Sequence, residues 1–367
     1  MNHVNAVTLM HRCSKSKKHV LDFMNPDDLT SLLSSKPLSS QGIANTLYGL
    51  NSIIVSKDRN ETLINKILTI VSNNLESNSE VFDSQSISNS FYGLRGLQLQ
   101  GDEDESNPLL RVMRSLVDKL EYNFEISMRD ELVPVNFMSP QGIGNSMLGL
   151  QGMSSTSAIV RKAIILFTSY IRHSSRPLDG QGIASVMIGL RSCCSEDPDI
   201  RELLKAICSV IQGREQYPSL KSREVSMIIC GVQSMSCIDE VACILNTTIS
   251  IARRSNIWLQ DGNEVASALT GLKSMGCQNH IARSTVSYVA ESLSRIRRRH
   301  FNKHNISDNA ESLSNILNEF HIATSIFAMQ NMSIDFEEAN SLLRSLTAAL
   351  KTTVSGYLHE QSVAKIM

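Results

Sequence analysis

The stretch Gln41-Gly-Ile-Ala-Asn-Thr-Leu-Tyr-Gly-Leu50 decides the fold, because the chain repeats it. Close copies are Gln85-Ser-Ile-Ser-Asn-Ser-Phe-Tyr-Gly-Leu94, Gln141-Gly-Ile-Gly-Asn-Ser-Met-Leu-Gly-Leu150 and Gln181-Gly-Ile-Ala-Ser-Val-Met-Ile-Gly-Leu190. Divergent copies run from Arg223 to Val232, from Asn263 to Leu272 and from Phe320 to Met329, the last with a competing register from Glu311 to Phe320. Such self-similarity indicates a repeat protein in which every unit packs on its neighbours.

Each copy of the motif has the pattern of an amphipathic helix. In the first copy, Ile43, Leu47, Leu50 and Ile54 form one apolar stripe. A Ser or Asp that can cap the helix lies two residues before five of the copies, at Ser39, Asp83, Ser139, Asp179 and Asp261. A second helical stretch follows each copy; examples run from Glu61 to Leu75, from Pro108 to Tyr122, from Asp239 to Arg254 and, in the last repeat, from Phe336 to Tyr357. We therefore predict an all-α fold, an α-solenoid of about seven helix-turn-helix repeats of roughly 40–45 residues.

The motif carries a glycine near its end in six copies, at Gly49, Gly93, Gly149, Gly189, Gly231 and Gly271. A glycine inside a helix costs ~1 kcal/mol relative to alanine, so its recurrence needs a compensating reason. We interpret it as the point where helices of adjacent repeats cross closely. A larger side chain there is expected to overpack the crossing, at a cost of roughly 1–3 kcal/mol.

The predicted organisation is a short leading segment followed by one array. Residues 1–24 are basic and are interpreted as a tail or a weak targeting segment. Residues 25–367 form the helical-repeat array, which starts with a capping helix over Asn25 to Leu33. The acidic stretch 101–108 reads as a loop insertion.

Composition argues against several classes of protein. The net charge of −1 gives no electrostatic footprint for nucleic acid over the whole chain, and no apolar run has the length of a membrane span. The eight cysteines include no Cys-x-x-Cys pair, and we expect reduced thiols. We find no pattern for a catalytic site, a metal site, a cofactor or a small-molecule substrate, and we expect neither an enzyme nor a membrane protein.

The motif resembles the octotricopeptide-type helical repeats of organellar RNA-binding proteins and the related arrays that precede RAP domains. Ala44-Asn45-Thr46-Leu47-Tyr48-Gly49-Leu50 carries the resemblance, with Tyr for the family's Trp and Gly for its Ala, and Ser88 to Leu94 is similar. The resemblance covers most of residues 38–350, and no RAP-like segment is visible. It implies sequence-selective binding of single-stranded RNA in a mitochondrion or plastid; otherwise we expect a cytoplasmic protein.

Amide side chains are the main candidates for base contacts. They occur in i, i+4 pairs on one helical face, as Gln41 with Asn45, Gln85 with Asn89, and Gln141 with Asn145. Carboxamides can pair with base edges, and helical-repeat proteins read RNA with a few side chains per repeat. The alternative is structural, because amides also bridge adjacent units or satisfy buried carbonyl groups. Tyr48 and Tyr92 have the same ambiguity, since they can stack on bases, but an aromatic residue at this spacing more often lies in a core.

The cluster from Arg295 to His304 is the sharpest local concentration of charge, and Arg295, Arg297, Arg298 and Arg299 are candidate phosphate contacts. The same cations complement the dipole at a helix C-terminus, which is the structural alternative. Cations on earlier second helices, such as Arg161-Lys162 and Arg172, would extend a phosphate track if they lie on the same edge. The leading hypothesis is therefore single-stranded RNA binding without catalysis. The alternative is a protein–protein interaction scaffold, which the near-zero net charge favours.

Overall fold

The computed structural model of the chain is all-α, and successive helices pack on their neighbours as in an α-solenoid. It describes residues 2–54, 60–99, 104–129, 138–213, 220–276, 278–304, 317–333 and 335–353. Within these ranges there is no strand, and the α-helices are α1 (His3–Lys15), α2 (Pro26–Ser34), α3 (Ser40–Ile54), α4 (Glu61–Ser77), α5 (Ser84–Gly93), α6 (Pro108–Arg129), α7 (Pro140–Gly149), α8 (Ala158–His173), α9 (Gly180–Gly189), α10 (Pro198–Gln212), α11 (Ser222–Gly231), α12 (Asp239–Arg254), α13 (Gly262–Gly271), α14 (His280–His304), α15 (Glu319–Ala328) and α16 (Glu337–Thr353).

The helices fall into two compact units, residues 1–193 with 197–206 and residues 194–196 with 207–367. In the first unit the motif helices α1, α3, α5, α7 and α9 stack in sequence, and the second helices α2, α4, α6 and α8 stack in a layer behind them. In the second unit α11, α13 and α15 form the motif layer, while α12, α14 and α16 form the other. The predicted helix-turn-helix repeat is confirmed in both units.

The motif predicted the helix boundaries closely. From α5 onward every motif helix ends on the small residue of the motif, and α15 ends on Ala328. The last copy therefore has the register Phe320 to Met329. The predicted caps are confirmed, since Ser39, Asp83, Ser139, Asp179 and Asp261 each accept a hydrogen bond from the backbone N–H three residues on. These bonds satisfy donors that the first helical turn leaves without partners.

The glycines lie where consecutive motif helices cross, as predicted. A Cβ added to Gly93 would collide with the backbone of Leu47, and one added to Gly149 would lie 2.9 Å from the backbone nitrogen of Tyr92. A Cβ added to Gly189 or to Gly271 would likewise collide with a backbone carbonyl oxygen of the preceding motif helix. Because the opposing atoms are backbone, they cannot turn aside as a side chain would. The small residue thus sets the distance between the repeats.

The leading segment contains a helix that packs on the array. Residues that we expected to form a basic tail or targeting segment form helix α1, which buries Ala6, Val7, Met10 and Cys13. Helix α1 packs on α3, and a Cβ on Gly49 would lie 2.5 Å from the Cβ of Met10, as in the later crossings. Helix α1 therefore occupies the place of a motif helix, and the predicted capping helix α2 is its second helix.

Two further predictions, on the state of the cysteines and on the acidic insertion, can be compared with the structure. The expectation of reduced thiols is wrong for one pair, because Cys208 in α10 and Cys243 in α12 form a disulfide. The acidic insertion is a turn over 104–107 in its described part, where the side chain of Asp104 accepts hydrogen bonds from Ser106, and residues 101–103 lie outside the described ranges. Among the described helices, none is both long and apolar enough to cross a membrane.

Candidate nucleic-acid interface

The candidate interface is the solvent-facing side of the motif helices in the first unit. We number the motif positions from 1 at Gln41 to 10 at Leu50. Positions 1, 5 and 8 are spaced by four and three residues, so their side chains lie on one helical face. In the first three copies position 1 is an exposed glutamine, at Gln41, Gln85 and Gln141. Position 5 is a half-exposed asparagine, at Asn45, Asn89 and Asn145.

The six amides on this face are not engaged by the rest of the protein. None of their side chains forms a hydrogen bond with another described residue, whereas amides elsewhere do, as Asn74 and Asn78 show at Leu38. The structural interpretation, in which these amides bridge adjacent repeats, therefore finds no support in the described contacts. Both a donor and an acceptor of each amide remain open to a ligand on the face.

Position 8 carries a row of three rings across successive motif helices. Tyr48 and Tyr92 stack with centroids 5.3 Å apart and planes inclined by 22°, and His11 lies 5.0 Å from Tyr48. All three are partly exposed, whereas an aromatic residue at this spacing more often lies in a core. The next two copies place Leu148 and Ile188 at this position, and both are buried. Within the first unit the row of rings is thus confined to α1, α3 and α5; in the second unit the last copy carries an exposed ring at the same position, Phe327.

The pKa shifts of two of these rings, His11 and Tyr48, favour their neutral forms. Partial burial lowers the pKa of His11, and the nearby charges of Lys15 and Arg12 lower it further. Partial burial also raises the pKa of Tyr48, with a smaller contribution from Tyr92. A neutral imidazole and a protonated phenol offer polarised π-surfaces and hydrogen-bonding groups without a charge of their own.

A cleft of about 500 Å³ opens beside the rings, at the carboxyl ends of α1, α3 and α5. Tyr48 and Tyr92 form part of its wall, and the turn after α1 contributes Lys15, Lys17 and Lys18. His19 and Arg95 also line the cleft, and the Nε of Arg95 donates a hydrogen bond to Gln151 at 2.9 Å. No carboxylate is among the described residues of the lining.

The cations of the second layer have a different role. In the first unit, each consecutive pair of second helices is joined by ion pairs, such as Arg111 with Glu76 at 2.7 Å and Lys162 with Glu121 at 2.8 Å. Arg172 pairs with Glu202 at 2.6 Å, while Arg161 lies 3.9 Å from two aspartates. These carboxylates neutralise the cations that we considered for an extended phosphate track. The second layer is therefore not the charged edge that RNA binding requires.

The arginine cluster of the second unit is partly committed to local contacts. The guanidinium of Arg295 lies 3.9 Å from the ring centre of Trp258, which stacks on Tyr288, and donates a hydrogen bond to Asn256. Arg299 donates to the side chain of Gln260. Arg298 is exposed, and the side chain of Arg297 is outside the described part of the chain. The cluster lies in the last turns of α14, where cations also complement the helix dipole.

The sequence analysis missed the cleft because it missed α1. Arg12 stands where the other copies have glycine or alanine, and the Gln and Gly-Leu signature is absent. The usable signal was the apolar spacing of Ala6, Val7, Met10 and Cys13, which follows a helical period. Among the described residues no group of His, Cys, Asp and Glu has an arrangement that could hold a metal ion.

No known protein family matches the chain, and no curated protein is similar to it in sequence. The octotricopeptide-like resemblance therefore rests on the motif residues alone.

Proposed function

We propose that the chain is a non-enzymatic helical-repeat protein that binds single-stranded RNA on the motif-helix face of its first unit. One observation carries the proposal: the row of partly exposed rings at His11, Tyr48 and Tyr92 runs beside amides that have no partner among the described residues. Single-stranded nucleic acids bind to aromatic platforms by stacking and are read through base edges. The octotricopeptide-like resemblance supports the same ligand and an organellar compartment.

The charge distribution supports binding at one end of this face. Lys15, Lys17 and Lys18 form no ion pair with a described carboxylate, in contrast to Lys162 and Arg172 in the second layer. Cations that are free of carboxylates are available to phosphates, and their release of counterions makes the affinity depend on salt. The ring row and the cations adjoin, so one strand can contact both.

Stacking is tested by fluorescence anisotropy of labelled, randomised single-stranded RNA at several salt concentrations. The variant is Tyr48→Leu, because Leu148 shows that leucine fits this motif position. The matched control is Tyr122→Leu on α6, a 52% exposed tyrosine of the second layer. We expect Tyr48→Leu to weaken binding about tenfold, as loss of one stacked base does, and Tyr122→Leu to leave it unchanged.

Base reading is tested by selecting preferred RNA sequences with the wild type and with Asn45→Ala. We expect the preference to change at one base while the melting temperature stays close to that of the wild type. Asn65→Ala, on an exposed position of α4, is the control and should leave the preference intact. Equal effects of the variants and their controls would contradict a role for this face. Absence of binding at low salt would reject the RNA proposal and leave a protein scaffold as the function to pursue by affinity capture.

A further inference from the structure

The cleft beside Tyr48 has more positive charge than an internal phosphate of a strand requires. Its lining combines three lysines and one arginine with no carboxylate among its described residues. Unbalanced charge in a concave, partly apolar site concentrates anions there. An internal phosphodiester carries one negative charge, whereas a phosphate monoester carries about 1.5 to 2 at neutral pH. The charge of the cleft matches the monoester better.

The lysines are held by a defined turn. Helix α1 ends with hydrogen bonds from the N–H of Lys17 to the carbonyl of Ser14, at 3.1 Å, and from the N–H of Lys18 to that of Cys13, at 2.9 Å. Lys17 has a φ of 54°, the left-handed conformation in which helix ends usually place glycine. Glycine here would remove that conformational cost but also a cation. The turn thus projects three ammonium groups from a fixed backbone.

The opposite wall of the cleft supplies a surface for a base. Tyr48 and Tyr92 line it next to the polar side chain of Asn51, whose Nδ2 donates to the carbonyl of Arg95 at 3.3 Å. A volume of about 500 Å³ is within the range of small-ligand sites. An aromatic wall facing a group of cations is complementary to a molecule with a flat ring at one end and a phosphate at the other.

We propose that this cleft binds a nucleoside that carries a phosphate monoester, with its base against Tyr48 and Tyr92 and its phosphate among Lys15, Lys17, Lys18 and Arg95. The ligand is either a free nucleotide or the phosphorylated end of an RNA strand. The strand-end form rests on the proposed RNA function, and the free-nucleotide form does not.

The test compares ligands that differ only in the phosphate. Calorimetry measures binding of the four ribonucleoside 5′-monophosphates and of the matched nucleosides. Anisotropy measures binding of one short labelled RNA with a 5′-phosphate, with a 3′-phosphate and with hydroxyl groups at both ends. We expect a preference of about tenfold or more for the phosphorylated member in at least one series, as hydrogen bonds to charged groups give.

The variant Lys15→Gln/Lys18→Gln removes two charges from the cleft and keeps the side-chain lengths similar. Lys17 is retained because of its backbone conformation, and Arg95 because of its contact with Gln151. The matched control, Lys36→Gln/Arg176→Gln, removes two exposed charges that do not line the cleft. We expect the first variant to lose most of the phosphate preference and the control to retain it.

The outcomes separate this proposal from the proposed function. If the RNA binds equally well with and without a terminal phosphate and mononucleotides do not bind, the cleft proposal is overturned while RNA binding stands. If mononucleotides show the phosphate preference but no RNA binds, the cleft proposal stands and the RNA function fails. A preference that survives Lys15→Gln/Lys18→Gln would place the phosphate elsewhere and overturn the proposal.

Discussion

Substitution of Gly149 by alanine tests whether the motif glycine sets the distance between repeats. The Cβ of alanine would collide with the carbonyl group of Phe91 in α5 and lie 2.9 Å from the backbone nitrogen of Tyr92. Both opposing groups belong to the backbone of a packed helix, so relief requires that α5 and α7 move apart. Gly149 does not have a positive φ, so alanine is compatible with the local backbone.

Two opposing effects determine the size of the change. Alanine gains up to ~1 kcal/mol of helix propensity over glycine, and somewhat less at the last residue of a helix. Overpacking of a well-packed contact costs roughly 1–3 kcal/mol and occasionally more, and a backbone collision belongs at the upper end. We therefore expect Gly149→Ala to lower the free energy of unfolding by about 2 kcal/mol, which corresponds to roughly 4–8 °C in melting temperature for a unit of this size.

Gly142→Ala is the control, because it makes the same substitution in the same helix. Its Cβ would meet the hydroxyl groups of Ser139 and Ser84, at 3.3 and 3.4 Å, and no backbone atom is among its nearest contacts. Thermal unfolding followed by far-UV circular dichroism measures both variants. We expect Gly142→Ala to melt close to the wild type. If Gly149→Ala melts as high as Gly142→Ala, the crossing is not limited by the glycine and the reasoning is refuted.

Three other predictions concern caps, charge and the second unit. Asp179→Ala should lower the free energy of unfolding by about 1 kcal/mol in urea titrations, because the N-cap bond of α9 is lost. The pKa of Glu202 is lowered to about 2, first by the hydrogen bond from Lys205. The ionised carboxylate therefore stabilises the fold above the ordinary pKa of glutamate, and this stabilisation disappears as the pH falls toward 2. Over that pH interval the variant Glu202→Gln should lose less stability than the wild type. Arg295→Ala should shift the emission of Trp258, the one tryptophan of the chain, to longer wavelength, because the guanidinium no longer covers its ring.

The sequence predicted where helices begin better than where they end. Helix α6 begins at the predicted Pro108 and α12 at the predicted Asp239, since prolines, Asp and Ser mark the first turn chemically. Helix α6 was expected to end near Tyr122 but continues to Arg129. The first proline after Tyr122 is Pro134 and no glycine lies between them, so the local sequence carries no stop signal at Tyr122.

The amides of the candidate face were predictable, and the cleft was not. The i, i+4 spacing of Gln41 and Asn45 places them on one face of any helix, and the structure has both at the surface. The position of Tyr48 was harder to assign, because it borders the buried stripe and its exposure depends on the neighbouring motif helices. The cleft brings Lys18 and Arg95 together from two separate motif repeats. Only the stacking of α1, α3 and α5 creates that proximity.

The same motif builds an open face in its first copies and a closed one later, and the difference lies in two positions. Where position 8 is His11, Tyr48 or Tyr92, the rings remain partly exposed, whereas Leu148 and Ile188 in the next two copies are buried. Position 5 changes one copy later, since Asn145 is still half-exposed in the copy with the buried Leu148, whereas Ser185 is buried and would meet a Cβ on Gly144 at 3.4 Å. A ligand that needs rings and free amides together finds them only where both positions keep their early residues. Repetition of the helix supplies the scaffold, and the departure from strict repetition at these two positions locates the binding face.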